Sequence, residues 1–276
     1  CWTSWRTTVS TSDAQAPQVR GFVPPRSDQE RMVMRRAEDL CASAEKRWSA
    51  RYTGFLSDRE QDLCAAALNR VGCDWYRFDG GYDGAERKLL CLAPFGIECE
   101  PPIRFVKVAY SHLCAQPPAH RDCLGAILGL AVERSCIGDL IPSPDEHCIY
   151  VAVLQEMAGV LCRELRQAGR VSVRTTLCEE GKAVLPMRPP PKLQTASVAS
   201  LRLDAVLAAF LNCSRSQAEE YVRTGHVEIN HIPQEKAGTP VYEQDLFTVR
   251  GKGRFRLEKL GGKSRKDRQW IEYYQY

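Results

Sequence analysis

The sequence predicts an α+β protein in three parts: a helical N-terminal region, a central α+β domain, and a C-terminal domain of two short helices and several strands. Hydrophobic residues make up 44% of the 276 residues, which is a globular composition. The pattern is interrupted once, between Leu185 and Lys192, where four prolines predict an extended connector. The boundaries that follow are 28–72, 73–181, a linker over 182–196, and 197–276.

The chain begins with a segment, residues 1–27, that is rich in serine and threonine and carries three arginines against one acid. This composition is typical of the tail of an organelle transit peptide; the alternative is a disordered extension. Residues 28–51 then predict a charged helix. Ser57, with Glu60 three residues later, gives the capping-box pattern that starts a second helix.

The central domain interleaves strands with two helices. Short apolar runs predict strands at 74–78, 89–93, 103–109, 137–141, 147–153 and 170–175, and helices at 123–131 and 154–167. This order favours a compact fold with both helices on one face of a sheet. Ferredoxin-like or RNA-recognition-like topology is the arrangement we expect.

The C-terminal domain opens with two short helices. The first has one apolar face, formed by Leu203, Val206, Leu207 and Phe210. Ser214 begins the second helix, Gly225 ends it, and residues 226–230 alternate like a strand.

Cations lie where helices normally disfavour them. Arg202 and Arg215 fall in the first turns of these helices, where a cation opposes the helix dipole by roughly 0.3–1 kcal/mol. A bound anion would reverse that penalty, and a nucleic-acid phosphate is the anion that we expect. The candidate contacts in this domain are Arg202, Ser214, Arg215, Ser216, His226, Asn230, Arg250, Lys252 and Arg254.

The charge of the chain is concentrated near its C-terminus. Residues 250–268 hold nine lysines and arginines and two acids, a net charge of +7, whereas the whole chain carries +4. A localised basic stripe is typical of a nucleic-acid-binding surface. The alternative is a solvated strand pair whose cations protect a sheet edge.

These residues resemble a known module, the S4 RNA-binding domain, over roughly residues 197–260. The resemblance rests on Arg202-Leu-Asp204, Ser214-Arg-Ser216, Gly225, Val227, Asn230 and the 250–255 segment. It departs at Asn230-His231, where Asn-Gly is usual, and at Gln244-Asp245, where Gly-Asp is usual.

A wider resemblance, over about residues 30–274, is to the YlmH family of S4-domain proteins. It rests on residues 55–60, 80–87, 120–126, 137–140 and 200–204, although Ala119 and Cys123 replace a usual Ser and Phe. The connector and the 80–82 segment are most similar to the cyanobacterial and plastid branch, the photosystem II S4 domain proteins. The resemblance implies partners in rRNA, tRNA and the large ribosomal subunit, in quality control of obstructed subunits. It also implies the chloroplast stroma, with the cytoplasm as the alternative.

Several short strings imitate catalytic motifs. Arg202-Leu-Asp204 is similar to the catalytic string of pseudouridine synthases, but it runs directly into an apolar helix, so we interpret Asp204 as a helix-start or ion-pair residue. His120-Arg-Asp122 lacks the asparagine that follows in kinases. The thirteen cysteines show no zinc spacing. We therefore expect no enzyme, metal or cofactor, and no membrane insertion.

The central domain offers a possible second RNA contact. Its candidate residues are Arg87, Lys88, His120 and Arg121. The alternatives are a solvated strand end for the first pair and a helix start for the second. Three functions stay open: non-catalytic binding to ribosomal RNA or tRNA, photosystem assembly with a mainly protein partner, and RNA modification at an unrecognised site. The sequence does not identify a protein partner.

Overall fold

The structure is a computed structural model that describes residues 22–114, 116–178, 192–265 and 267–276. These residues form two compact units, one within Phe22–Pro189 and one within Pro190–Tyr276. Residues 1–21 of the predicted extension and 182–191 of the predicted linker lie outside the described residues. None of the helices described is long and apolar enough to cross a membrane.

The elements alternate between helices and antiparallel strands along most of the chain. The helices are α1 Asp28–Arg47, α2 Asp58–Arg70, α3 His120–Leu128, α4 Gln155–Glu164, α5 Leu203–Leu211 and α6 Arg215–Arg223. The strands of the first unit are β1 Arg51–Leu56, β2 Tyr76–Asp79, β3 Lys88–Leu92, β4 Ile103–Tyr110, β5 Ile137–Ser143, β6 Cys148–Leu154, β7 Gln167–Ala168 and β8 Val171–Leu177. Those of the second are β9 Leu193–Val198, β10 Val227–Ile229, β11 Ile232–Pro233, β12 Leu246–Val249, β13 Gly253–Lys263 and β14 Gln269–Gln275.

The first unit begins with a layer in which α1 and α2 pack on a three-stranded sheet of order β1-β3-β2. The capping box expected at the start of α2 is present, with Ser57 and Glu60 bonding each other's backbone. The sequence predicted only helices for residues 28–72, but residues 51–56 form a strand. Its partner β3 lies more than thirty residues further on, so the local pattern held little sign of the pairing.

The ferredoxin-like topology expected for the central part is confirmed for residues 103–177. The strands predicted at 74–78 and 89–93 were assigned to this domain, but they form β2 and β3 of the preceding sheet. Strands and helices follow the order β4-α3-β5-β6-α4-β8, and the sheet has the order β5-β6-β4-β8-β7 with every pair antiparallel. Helices α3 and α4 cover one face. The core there includes Val106, Ile127, Val151 and Leu161, all fully buried.

The opposite face of this sheet is largely covered by the N-terminal layer. Phe55 and Leu89 pack against Ile103 and Ala152 of the central sheet. At Gly138 an added Cβ would lie 2.6 Å from the Phe55 ring, so the two sheets approach too closely for any larger residue. In RNA-recognition domains this face carries the aromatic rings that stack on bases. Here much of it is internal packing.

The second unit is a six-stranded antiparallel sheet of order β11-β10-β12-β13-β14-β9 with α5 and α6 on one face. Phe210 of α5 anchors the core, with its ring 5.2 Å from Phe255 and 5.1 Å from Phe247. The β10–β11 turn uses Asn230 and His231, whose φ angles of 50° and 61° have the sign that a two-residue hairpin turn requires.

Candidate nucleic-acid interface

The two helix-start arginines of the second unit are held by one buried carboxylate. Asp204, only 5% exposed, accepts hydrogen bonds from Arg202 Nε at 3.2 Å and Nη2 at 3.3 Å. Its Oδ2 also accepts from Arg215 Nη2 at 2.6 Å, and its Oδ1 from the Ala205 N–H at 2.9 Å. We call these three side chains the arginine clamp: Arg202, Asp204 and Arg215.

The clamp stays charged although its carboxylate is buried. Burial by itself would raise the pKa of Asp204, but the hydrogen bonds from Arg202 and Arg215 outweigh it, and the pKa is lowered overall. The arginine side chains remain 51% and 54% exposed. Two cations share one carboxylate, so the clamp presents a net positive charge to solvent.

This arrangement corrects one part of the sequence reasoning. Arg215 was expected to sit in conflict with the helix dipole until an external anion bound. Asp204 already supplies an anion, eleven residues earlier in the chain. The expectation that Asp204 is an ion-pair residue agrees with this geometry. Helical periodicity places Asp204 beside the apolar face of α5 and gives no distance to a second helix, so neither its burial nor its bond to Arg215 could be predicted.

The start of α6 keeps its polar groups at the surface. Ser214 and Gln217 form the expected capping box, in which the Ser214 hydroxyl accepts from the Gln217 N–H at 3.2 Å and Gln217 Oε1 from the Ser214 N–H at 3.1 Å. Arg215 and Ser216 follow as exposed residues of the first turn. The Ser214 hydroxyl is therefore already used in the cap, whereas Ser216 has an exposed side chain.

Lys252 adds an exposed cation beside Asn212 and Cys213 of the loop that joins α5 to α6, a place that we call the corner. It lies in the β12–β13 turn and is exposed. It lines a cleft of about 690 Å³ with Asn212 and a second of about 460 Å³ with Cys213 and Gln217. The turn, although distant in sequence, therefore faces the loop that joins the two helices.

His226 and Arg250 flank the same turn. His226 lines the smaller cleft with Tyr221 and Thr224, and its Nδ1 lies 2.7 Å from the Thr224 hydroxyl. The Arg250 backbone N–H donates to the His226 carbonyl at 2.9 Å, while its side chain is exposed. Tyr221 and Thr224 were not among the predicted site residues, because nothing in their local pattern marks them as more than helix surface.

Comparison with known proteins bears on what this corner does. Residues 201–246 match the S4 domain family model, and residues 100–180 match the model described as "Putative RNA-binding domain in YlmH". Over 247 residues the chain is 30% identical to the ribosome-associated protein quality control protein P2 of Bacillus subtilis (strain 168), covering 88% of this chain and 94% of that protein.

The chain belongs to the YlmH family. It also superposes on the structure of cell division protein ylmH from Streptococcus pneumoniae with a TM-score of 0.47 and 18% identity, over 59% of this chain and 99% of the other. The family assignment carries RNA binding with it, and it confirms the resemblance to the S4 domain and to the YlmH family.

Two predicted contact residues of this YlmH-family chain lie away from the corner. Arg254 pairs with Thr248 across β12 and β13, on the sheet face opposite the helices, and its guanidinium is 5.7 Å from the centre of the Tyr276 ring. Asn230 uses its side chain internally, donating to Asp245 Oδ1 at 2.9 Å and accepting from the Leu246 N–H at 2.8 Å. These bonds fix the β10–β11 turn, so Asn230 has a structural task.

Of the four candidate residues in the first unit, Arg87 and Lys88 are partly buried, whereas His120 and Arg121 are exposed. Arg87 is turned inwards, donating to the carbonyls of Ile137 at 3.0 Å and Phe55 at 2.7 Å. Burial lowers its pKa. Lys88 is half-buried at the start of β3. His120 and Arg121 are exposed in the first turn of α3, and the Arg121 side chain is 91% exposed.

The remaining polar groups give little sign of metal chemistry. Among the described ranges, no group of three or more His, Cys, Asp or Glu side chains could hold a metal ion. The cysteines of those ranges are unpaired thiols, many of them buried. Burial raises the pKa of Cys64 and Cys123 to about 12, which keeps these thiols protonated and unreactive near neutral pH.

Proposed function

We propose that this protein is a non-catalytic RNA-binding protein that acts on ribosomal RNA or tRNA at the large ribosomal subunit, in ribosome-associated quality control. The observation that carries the proposal is the arginine clamp, which holds two guanidinium groups at fixed positions on one buried carboxylate. Lys252 adds an exposed cation at the loop between α5 and α6. The printed name of the Bacillus subtilis relative supports the ribosomal part.

The clamp is suited to phosphate because its cations are positioned before any ligand arrives. A long side chain loses about 0.5–1.5 kcal/mol of rotamer freedom when an interface immobilises it. Arg202 and Arg215 have already lost much of that freedom to Asp204. A guanidinium has five N–H donors, so each arginine keeps donors for a phosphate after serving the carboxylate. Positioned cations of this kind read RNA shape and backbone more than sequence.

The same geometry argues against a catalytic role for Asp204. A nucleophilic carboxylate must reach the reacting carbon of a base, whereas Asp204 is buried, and both of its oxygens accept hydrogen bonds. Its lowered pKa and its two cationic partners also make it a weak nucleophile. The likeness of Arg202-Leu-Asp204 to a pseudouridine synthase string is therefore explained by an ion-pair function.

Cosedimentation with ribosomal subunits tests the proposal. Wild-type protein should travel with the large subunit. Lys252→Gln should bind more weakly and lower the slope of log affinity against log salt by about 0.7–0.9, since one phosphate contact is lost. Lys46→Gln is the matched control, because Lys46 is an exposed lysine at the end of α1 in the other unit.

Two results would count against this function. If the wild-type protein stays at the top of the gradient, without ribosomal subunits, and purifies with photosystem subunits, the result would favour the photosystem-assembly alternative. If Lys252→Gln and Lys46→Gln change the salt slope equally, the corner is not the contact.

We also propose that the protein works in the chloroplast stroma. The support is the composition of residues 1–27, rich in hydroxyl side chains and poor in acids. Immunoblotting of stromal and cytosolic fractions from the source cells tests it, and a cytosolic signal alone would overturn it.

A further inference from the structure

The six-stranded sheet of the second unit has one face that α5 and α6 do not cover. We define the open face by the outward side chains of β9, β13 and β14 and by the residue that follows β14: Leu193, Arg254, Arg256, Trp270, Tyr274 and Tyr276. Its members alternate with core residues such as Phe255, Leu257, Ile271 and Tyr273, which point to the helices. The face is therefore a direct result of strand periodicity.

Large rings on this face are exposed to solvent. Trp270 is 47% exposed and Tyr276 is 48% exposed. The neighbours of Trp270 are small, with Ser197 opposite on β9 and Gly261 alongside on β13, where an added Cβ would lie 3.1 Å from Trp270 Cβ. The indole is thus left uncovered by its neighbours across both strand pairs.

Cations are paired with the tyrosines at the other end of the face. Arg256 lies directly opposite Tyr274 in the β13–β14 register. Arg254 places its guanidinium over Tyr276, 5.7 Å from the ring centre. Tyr274 and Tyr276 stand two residues apart on one face, about 7 Å along the strand, which leaves room for a separate base on each ring.

We propose that the open face is a second RNA site, one that binds unpaired nucleotides by stacking their bases on Trp270, Tyr274 and Tyr276 while Arg254 and Arg256 contact the phosphates. Base stacking on aromatic side chains requires bases that are not already stacked in a duplex. The site lies on the opposite side of the sheet from the arginine clamp and uses none of its residues.

Charge favours RNA over a protein as the occupant. Residues 253–275 carry seven lysines and arginines against three acids. The acid on this face of β14, Glu272, lies opposite Lys259 in the register. Apolar protein contacts are depleted of charge at their centre, whereas interleaved aromatic and basic side chains are typical of single-strand binding surfaces.

Binding of an unstructured oligouridylate of about eight nucleotides tests the proposal in the full-length protein, by fluorescence anisotropy. Trp270→Ala and Tyr274→Ala should each weaken binding by roughly five- to a hundredfold, the range expected for one lost stacking contact. Trp270→Phe should retain most of the affinity. Trp48→Ala is the matched control, since Trp48 is a tryptophan of the other unit that is 58% exposed, and it should leave the affinity unchanged.

A second arm separates this site from the clamp. Lys252→Gln should weaken ribosomal cosedimentation but leave oligouridylate binding intact, and Trp270→Ala should retain binding to the large subunit through the clamp. If the protein does not cosediment with the large subunit but still binds oligouridylate through Trp270, the proposed function is wrong and the stacking site is supported.

Ultraviolet crosslinking of the oligouridylate to wild-type protein gives a readout that needs no variant, and crosslinked peptides should contain β14. Crosslinks confined to α5, α6 and the β12–β13 turn would overturn the proposal. Equal affinity of Trp270→Ala and wild type would do the same. A change in the self-association of Trp270→Ala, with unaltered RNA affinity, would assign the face to contact between protein molecules instead.

Discussion

Replacing Arg215 with alanine should lower the stability of the second unit and its RNA affinity together. The substitution removes the 2.6 Å bond to Asp204 Oδ2, while Arg202 and the Ala205 N–H continue to serve the carboxylate. A hydrogen bond to a charged group contributes about 1.5–3 kcal/mol. Because the arginine is 54% exposed, solvent screening reduces this to about 1–2 kcal/mol.

Relief of the conflict with the α6 dipole returns about 0.3–1 kcal/mol, since Arg215 is the first residue of that helix. The net loss of unfolding free energy is then about 0–1.7 kcal/mol, with about 0.9 kcal/mol from the midpoints of the two ranges. RNA affinity should fall by about 1.5–3 kcal/mol, because the lost guanidinium also donated to phosphate. The helix dipole alone predicts the opposite sign for stability, because it leaves out the ion pair of Arg215 with Asp204.

Hydrogen exchange followed by mass spectrometry measures this loss in α5 and α6 without requiring both units to unfold together. Arg223→Ala is the control, because Arg223 is in the same helix with an equally short 2.6 Å bond to Glu220, but both partners are at the surface. It should lower protection of α6 by about 0.3–1 kcal/mol, because a cation in the last turn favours the helix dipole, and leave protection of α5 unchanged. Protection in Arg215→Ala equal to or above that of wild type would refute the clamp as a stabilising element.

The stability difference between wild type and Arg215→Ala should also depend on pH. The pKa of Asp204 is lowered in the folded protein, so its contribution is present above the unfolded value of about 3.9 and is lost as the pH falls through the folded value. The difference between Arg215→Ala and wild type should therefore shrink below about pH 4. A gap that stays constant until the protein unfolds in acid would mean that Asp204 is not the titrating partner.

Three further predictions concern residues that sequence reasoning treated alike. Arg87→Ala should destabilise the first unit by about 2–4 kcal/mol in urea unfolding, because the carbonyls of Phe55 and Ile137 lose their hydrogen-bond donor. A loss of stability below about 1 kcal/mol would contradict the inward orientation of Arg87. Asn230→Ala should lower the stability of the β10–β11 turn by about 2–3 kcal/mol, since it removes two hydrogen bonds there, one of them to the buried Asp245. Hydrogen exchange of the β10 amides measures this loss, and unchanged exchange would argue against a structural function for Asn230. Arg121→Ala should leave the melting temperature unchanged, so a drop in ribosome cosedimentation would mark a direct RNA contact, and unaltered binding would identify a scaffold.

The parts of the fold that could be predicted are those determined by nearby residues. The capping boxes at Ser57 and Ser214 depend on side chains three positions away, and both are present. The order of strands and helices in the central part was sufficient for its topology. By contrast, β1 was missed because its partner is distant in sequence.

In the candidate site, too, the features that depend on residues far apart in the chain could not be predicted. Lys252 and Arg254 were grouped as one basic stripe, but residues of the turn and of the strand beyond it point to opposite faces of the sheet. Arg87 was placed among exposed cations because the carbonyls that it binds belong to β1 and β5, far along the chain. Charge is visible in a sequence, whereas the direction of a side chain depends on its non-local partners.

The covered face of the central sheet bears on how this protein can be dissected. The matched RNA-binding region, residues 100–180, is recognisable by its sequence, yet Ile103 and Ala152 need Phe55 and Leu89 from the preceding layer to exclude water. A fragment cut at residue 100 would carry a bare apolar sheet and should aggregate when expressed alone. The segment that the family model matches is thus smaller than the segment that folds, and expression of this region should include residues 22–99.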